Sequence, residues 1–160
     1  MKRITLFLLL FLLLPVLLFA AGSVTQTYEV NRNTNVSTLT FAFVGAADDG
    51  TVPSTATSTD ITAAIQGMCI YEVITNPGST APTTLYDIVL NGTDGEDLMG
   101  GTLADRSATA SQRAVPLLMT TALGTEIPGR SIINGAMTLV ITHQDVHSAT
   151  GTVKVFLTRP

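Results

Sequence analysis

Period-two alternation constrains this chain more than any other feature of its sequence. Ser23 to Asn31 sets Val24, Gln26, Tyr28 and Val30 at alternate positions. Val36 to Gly45 puts Leu39, Phe41 and Phe43 on one side and Thr38, Thr40 and Ala42 on the other. Met68 to Thr75 divides Cys69, Tyr71 and Val73 from Ile70, Glu72 and Ile74. Thr84 to Leu90, Met137 to Thr142 and Gly151 to Arg159 follow the same rule, the last with Val153, Val155 and Leu157 on one face. Successive side chains of an extended strand point to opposite faces, so such a run buries one face only as a strand. Ala114 to Leu118 adds a short run interrupted by Pro116, which belongs at a sheet edge because proline lacks the ladder donor. Asp60 to Gln66 reads equally as a strand or as a short helix capped by Thr59 or Asp60.

Turn clusters separate the runs. They lie at Asn31–Asn35, Ala46–Ser58, Asn76–Pro82, Gly92–Gly101, Thr120–Arg130 and His143–Thr150. About seven or eight strands at this spacing predict an all-β fold, an antiparallel β-sandwich of jelly-roll or Ig-like type, as a single domain over residues 23–160. The first two strands, and likewise the last two, are expected to form hairpins. Composition agrees: charged residues are 12% of the chain, about half the usual globular share, and Lys154 is the only lysine after the N-terminus. Helical surfaces use more Glu, Lys and Gln than this.

Residues 1–22 stand apart from the fold. Lys2-Arg3 precedes an almost unbroken apolar run from Ile4 to Phe19, and Ala20-Ala21-Gly22 offers small residues before a cut at Ser23. The pattern is that of a cleaved secretory signal peptide, with a retained membrane anchor as the alternative. Membrane contact would then run only through residues 4–19, if they are uncleaved. A secreted or extracytoplasmic location follows, or a membrane-anchored surface protein if the leader stays.

Without residues 1–22 the chain carries six basic and twelve acidic residues, a net −6. No basic patch exists to neutralise phosphates, which excludes nucleic acid as the expected partner. Cys69 is the single cysteine, so no internal disulfide can form, and its apolar neighbours predict a buried thiol acting as a small hydrophobe.

The stretch Leu85 to Ser107 concentrates carboxylate and glycine. Asn91-Gly92 suits positive φ in a tight turn. Asp94, Glu96 and Asp97 follow, then Gly100-Gly101 and Asp105-Arg106. Carboxylates and the Asn91 amide are hard oxygen donors, so loop 91–101 is the candidate divalent-cation site, with Ca²⁺ the ion and Asp94, Glu96 and Asp97 the ligands. Its spacing does not fit the EF-hand loop, and a solvated turn whose acids cap backbone amides is the competing reading. His143 and His147 share one loop without a helix to align them or a third ligand, so zinc is not expected there. No Gly-x-Ser-x-Gly elbow or triad pattern is present, no catalytic residue is assigned, and the absence of Trp leaves no sugar-stacking platform. Asn35-Val36-Ser37 and Asn91-Gly92-Thr93 fit the glycosylation sequon.

The run Ile74 to Leu90, the continuation Asp94-Gly95-Glu96-Asp97-Leu98-Met99-Gly100-Gly101, the group Ala104-Asp105-Arg106-Ser107 and the closing Gly151 to Leu157 together resemble small uncharacterised β-rich proteins encoded among the structural genes of tailed phages and prophages. Tyr86-Asp87 followed by Gly-x-Asp-Leu-x-Gly-Gly is the most specific part, and the N-terminal leader is the departure. The resemblance covers about half the chain and implies a virion component without enzymatic activity.

The function expected from all this is that of a non-enzymatic structural or interaction protein, exported or virion-associated. It would act through β-sheet edge and loop contacts with itself or with partner proteins. The alternative is an exported ligand-binding module with a divalent cation at loop 91–101.

Overall fold

The structure is a computed structural model, in which residues 20–120 and 125–160 are described. The leader reading falls almost entirely on residues 1–19, outside the described residues, as do residues 121–124 of the Thr120–Arg130 loop.

The chain is mostly β, with antiparallel sheets and one short helix. Strand β1 (Ser23–Asn31) and strand β2 (Val36–Val44) form the expected hairpin, from Ser23 opposite Val44 to Asn31 opposite Val36 without a register shift. Its turn closes on asparagine chemistry: Asn31 Oδ1 accepts the Asn33 amide at 3.0 Å, and Asn35 takes φ 54°. Asparagine tolerates that region better than most residues.

Strand β3 (Thr55–Ala56) lies at the edge of a sheet, in the stretch 46–58 expected to be a loop or an exposed edge of low apolar content. Helix α1 (Thr59–Ile65) resolves the helix-or-strand ambiguity toward helix. Its cap is Ser58, one residue before the two expected, whose Oγ accepts the Ile61 amide at 3.4 Å. Strands β4 (Cys69–Pro77), β5 (Asp87–Asn91), β6 (Gln112–Ala114), β7 (Leu117–Thr120), β8 (Thr125–Pro128), β9 (Thr138–Thr142) and β10 (Thr150–Thr158) complete the order. The described residues thus hold ten strands rather than seven or eight. Pro116 splits one expected strand into β6 and β7, because it cannot donate to either ladder.

A five-stranded sheet runs β1-β2-β10-β4-β6, a three-stranded sheet runs β3-β9-β5, and β7-β8 is a separate hairpin. The last two strands are therefore not a hairpin, contrary to expectation. Strand β10 is shared in full ladders between β2 and β4, while β9 pairs with β5 and β3. The connection is a corner rather than a tight turn. His143 and Ser148 take φ 56° and 54°, and buried Gln144 donates to Gly50 O at 2.6 Å and to Val146 O at 2.9 Å.

A bulge in β4 corrects a second expectation. Phe156 pairs with Glu72 and Leu157 with Ile70, leaving Tyr71 as the extra residue. Tyr71 is turned out, 52% exposed, while Ile70 and Val73 are both fully buried. Cys69, Tyr71 and Val73 therefore do not share a face, because one inserted residue inverts a period-two pattern. Cys69 is buried as expected, bridged to Ile132.

One hydrophobic cluster draws on both larger sheets. Leu39, Phe41, Phe43, Val153, Val155 and Leu157 come from β2 and β10, and Ile88, Leu90, Leu139 and Ile141 from β5 and β9. Each such side chain contributes about 1.5–3 kcal/mol on leaving water. Among the described residues no helix is long and apolar enough to cross a membrane.

Candidate functional site

The acidic loop is built as an extension of β5. Asn91 bridges Asp97, the Gly92 amide donates to Glu96 O at 2.8 Å, and the Leu98 amide to Leu90 O at 2.8 Å. The positive φ falls not at Asn91-Gly92 but at Gly95, with φ 81°. At Gly92 a Cβ would meet the Glu96 carboxylate, so a side chain there would displace that flexible group. That carboxylate turns back to accept the Asp94 amide at 3.0 Å. Asp97 accepts the Met99 amide at 2.9 Å through Oδ1 and the Gly101 amide at 2.6 Å through Oδ2. Leu98, Met99 and Leu103 then anchor the loop in the core.

Asp94, Glu96 and Asp97 are thus close in sequence but serve different ends. Two of them hold the turn, and among the described residues no group of three or more His, Cys, Asp or Glu side chains is placed to hold a metal ion. A Ca²⁺ site takes six to eight oxygen ligands; here one Glu96 oxygen and both Asp97 carboxylate oxygens accept backbone amides.

The two histidines face different acids. His143 Nδ1 lies 2.6 Å from Asp87 Oδ2, and Asp87 Oδ1 accepts the Asp105 amide at 2.8 Å. The Asp105 amide, then His143, holds the Asp87 carboxyl below its ordinary range. Asp49 is lowered first by the Thr51 amide and hydroxyl, with His147 a smaller influence. The His143–Asp87 contact ties the corner before β10 to β5, whereas Asp49 is held within its own loop by the Thr51 amide and hydroxyl.

Sequence reasoning singled out Asp105-Arg106 without finding its partner. Arg106 lies beside Tyr86: its amide donates to Tyr86 O at 2.7 Å, and both residues are buried. The guanidinium gives Nε and Nη2 to Ala104 O at 3.2 and 3.1 Å, while Nη1 and the Tyr86 hydroxyl have no hydrogen-bond partner among the described residues. Burial raises the Tyr86 phenol and lowers the Arg106 guanidinium. The pair caps the core against Phe43, with ring centroids 6.2 Å apart, and presents nothing to solvent that could act on a substrate.

The feature open to another molecule is the edge of the larger sheet. Among the described residues strand β1 pairs only with β2, along nine residues. Its inner face is tied down: Gln26 Nε2 donates to Ala56 O at 2.7 Å, Gln26 Oε1 accepts the Ser58 amide at 3.1 Å, and Tyr28 OH donates to Met68 Sδ at 3.6 Å. Ser23, Thr25, Thr27 and Glu29 point to solvent. Beyond the β2 ladder and the turn at Asn31, no backbone group of β1 is hydrogen-bonded among the described residues. No proline, lysine or bulge interrupts it. The opposite edge is guarded, since β6 has three residues, runs into Pro116 and carries Arg113 in a 3.3 Å ion pair with Glu72. Large apolar side chains also stand exposed near that end, Leu118 opposite Ile127 in the β7-β8 hairpin and Tyr71 under Arg130.

No family model, no curated protein and no solved structure matches the chain.

Proposed function

We infer that this chain is a non-enzymatic structural or interaction protein, exported or virion-associated, whose working surface is the β1 edge. Its two larger sheets pack as a β-sandwich behind that edge, and residues 1–22 act as a secretory signal. The observation that carries the reading is the nine-residue length of β1 with its outer backbone groups unpaired among the described residues. Proteins normally blunt such edges with lysine, proline, bulges or short strands, because unpaired amides and carbonyls template pairing with another chain. Here one edge is blunted and the other is not. Main-chain bonds would supply the affinity and alternate side chains the specificity. The exposed Leu118, Ile127 and Tyr71 add apolar contact area at the other end of the domain.

Thr27→Lys tests this in the native source. Thr27 is exposed, so the variant keeps the fold while charging the middle of the edge. Wild type should be recovered in an assembly larger than the chain, and the variant should be lost from it while still melting cooperatively as a folded domain. A folded variant that assembles as wild type does would overturn the reading.

A further inference from the structure

We propose that the occupant of the β1 edge is the β1 edge of a second copy, running antiparallel about a two-fold axis at Thr27; this rests on the reading of β1 as the working surface. Full overlap of two nine-residue strands fixes the register, since Thr27 is the midpoint of Ser23–Asn31. Thr27 then faces Thr27 of the second copy, and Thr25 faces Glu29 of the second copy. Gln26 faces Tyr28, Val24 faces Val30, and Ser23 faces Asn31.

Charge and apolar matching both favour this register. Glu29 is the one charged residue in β1. The register sets it opposite a threonine, and the two Glu29 residues fall four positions apart, about 13 Å along the strand. That exceeds the ~8 Å screening length at physiological salt. Like charges directly opposite one another would oppose pairing, and none are. Val30 stands 59% exposed in the single chain, and the register brings Val24 of the second copy against it. The axis makes the contact self-complementary, and the two five-stranded sheets become one continuous ten-stranded sheet. Head-to-tail pairing of β1 with β6 would match only three residues and would leave most of the edge open.

The test is a charge swap at the axis. The full coding sequence is expressed as wild type, Thr27→Lys and Thr27→Glu, and each protein, purified as the cell delivers it, is measured by sedimentation. Wild type is expected to be a dimer. Each variant alone sets two like charges about 5 Å apart, which weakens association by roughly tenfold. An equimolar mixture of the two variants restores the dimer. Wild type that stays monomeric at the highest attainable concentration would overturn the second-copy proposal, while loss of Thr27→Lys from the native assembly would still support the edge as a surface for another protein. A dimer that neither variant weakens would overturn the proposal and remove the edge as its interface. Weakened variants that do not recover on mixing would overturn the Thr27 register.

Discussion

Asp97→Ala separates a structural acidic loop from a cation site. Asp97 accepts the Met99 amide at 2.9 Å and the Gly101 amide at 2.6 Å, and Met99 is fully buried. A hydrogen bond to a charged acceptor contributes about 1.5–3 kcal/mol, and a buried donor left unpaired forfeits the whole of it. Gly101 is exposed, so its amide turns to water and loses only a few tenths. The expected cost is about 2–3 kcal/mol, which for a domain of this size lowers Tm by roughly 6–12 °C. Asp97→Asn keeps one acceptor and should recover about half of that loss. The assay is thermal and urea unfolding, in chelator and in millimolar Ca²⁺. The same loss is expected in both, with wild-type Tm unmoved by Ca²⁺. A wild-type Tm that climbs with Ca²⁺, and stops climbing in Asp97→Ala, would refute the reasoning, because a bound ion stabilises by mass action.

Other substitutions probe the core and the loop ties. Gly151→Ala puts a methyl group onto the Phe43 ring, 2.6 Å from Cε1; overpacking should cost about 1–3 kcal/mol in urea unfolding, and Phe43→Leu in the same chain should return part of it. Tyr86→Phe removes a buried hydroxyl without a partner, so its unfolding free energy should be unchanged or raised by about 1 kcal/mol rather than lowered. The Asp87 carboxyl lies below its ordinary range in the fold. Such a group stabilises above its unfolded pKa and loses that contribution as pH falls through the folded value. Tm should therefore decline below about pH 4, and Asp87→Asn should flatten part of the decline in a pH series of melts.

The strands were legible where local pattern decides them. Strand β1 begins and ends where the alternation does, and β2 and β10 do so within a residue. Pairing was less legible, because β9 and β10 are neighbours in sequence yet pair in different sheets. The Tyr71 bulge left no local trace, since its inserted residue is an ordinary strand former. In the acidic loop the sequence marks the turn and offers the reading of its acids as caps on backbone amides, but not which amides Asp97 takes, those of Met99 and Gly101. Tyr86 and Arg106 meet across nineteen intervening residues, a separation no periodicity reports. The free edge was invisible for a related reason: alternation identifies a strand, while its place at the margin of a sheet depends on every other pairing.

Amide hydrogen exchange along β1 in the native assembly tests the central claim most directly. Amides of β1 that do not bond to β2 have no other partner among the described residues, so in a free chain they exchange like exposed backbone. If the edge is the working surface, those alternate amides are protected in the assembly and become unprotected in Thr27→Lys. If they exchange in the assembly as fast as in the free chain, nothing is paired to β1 and the account is contradicted.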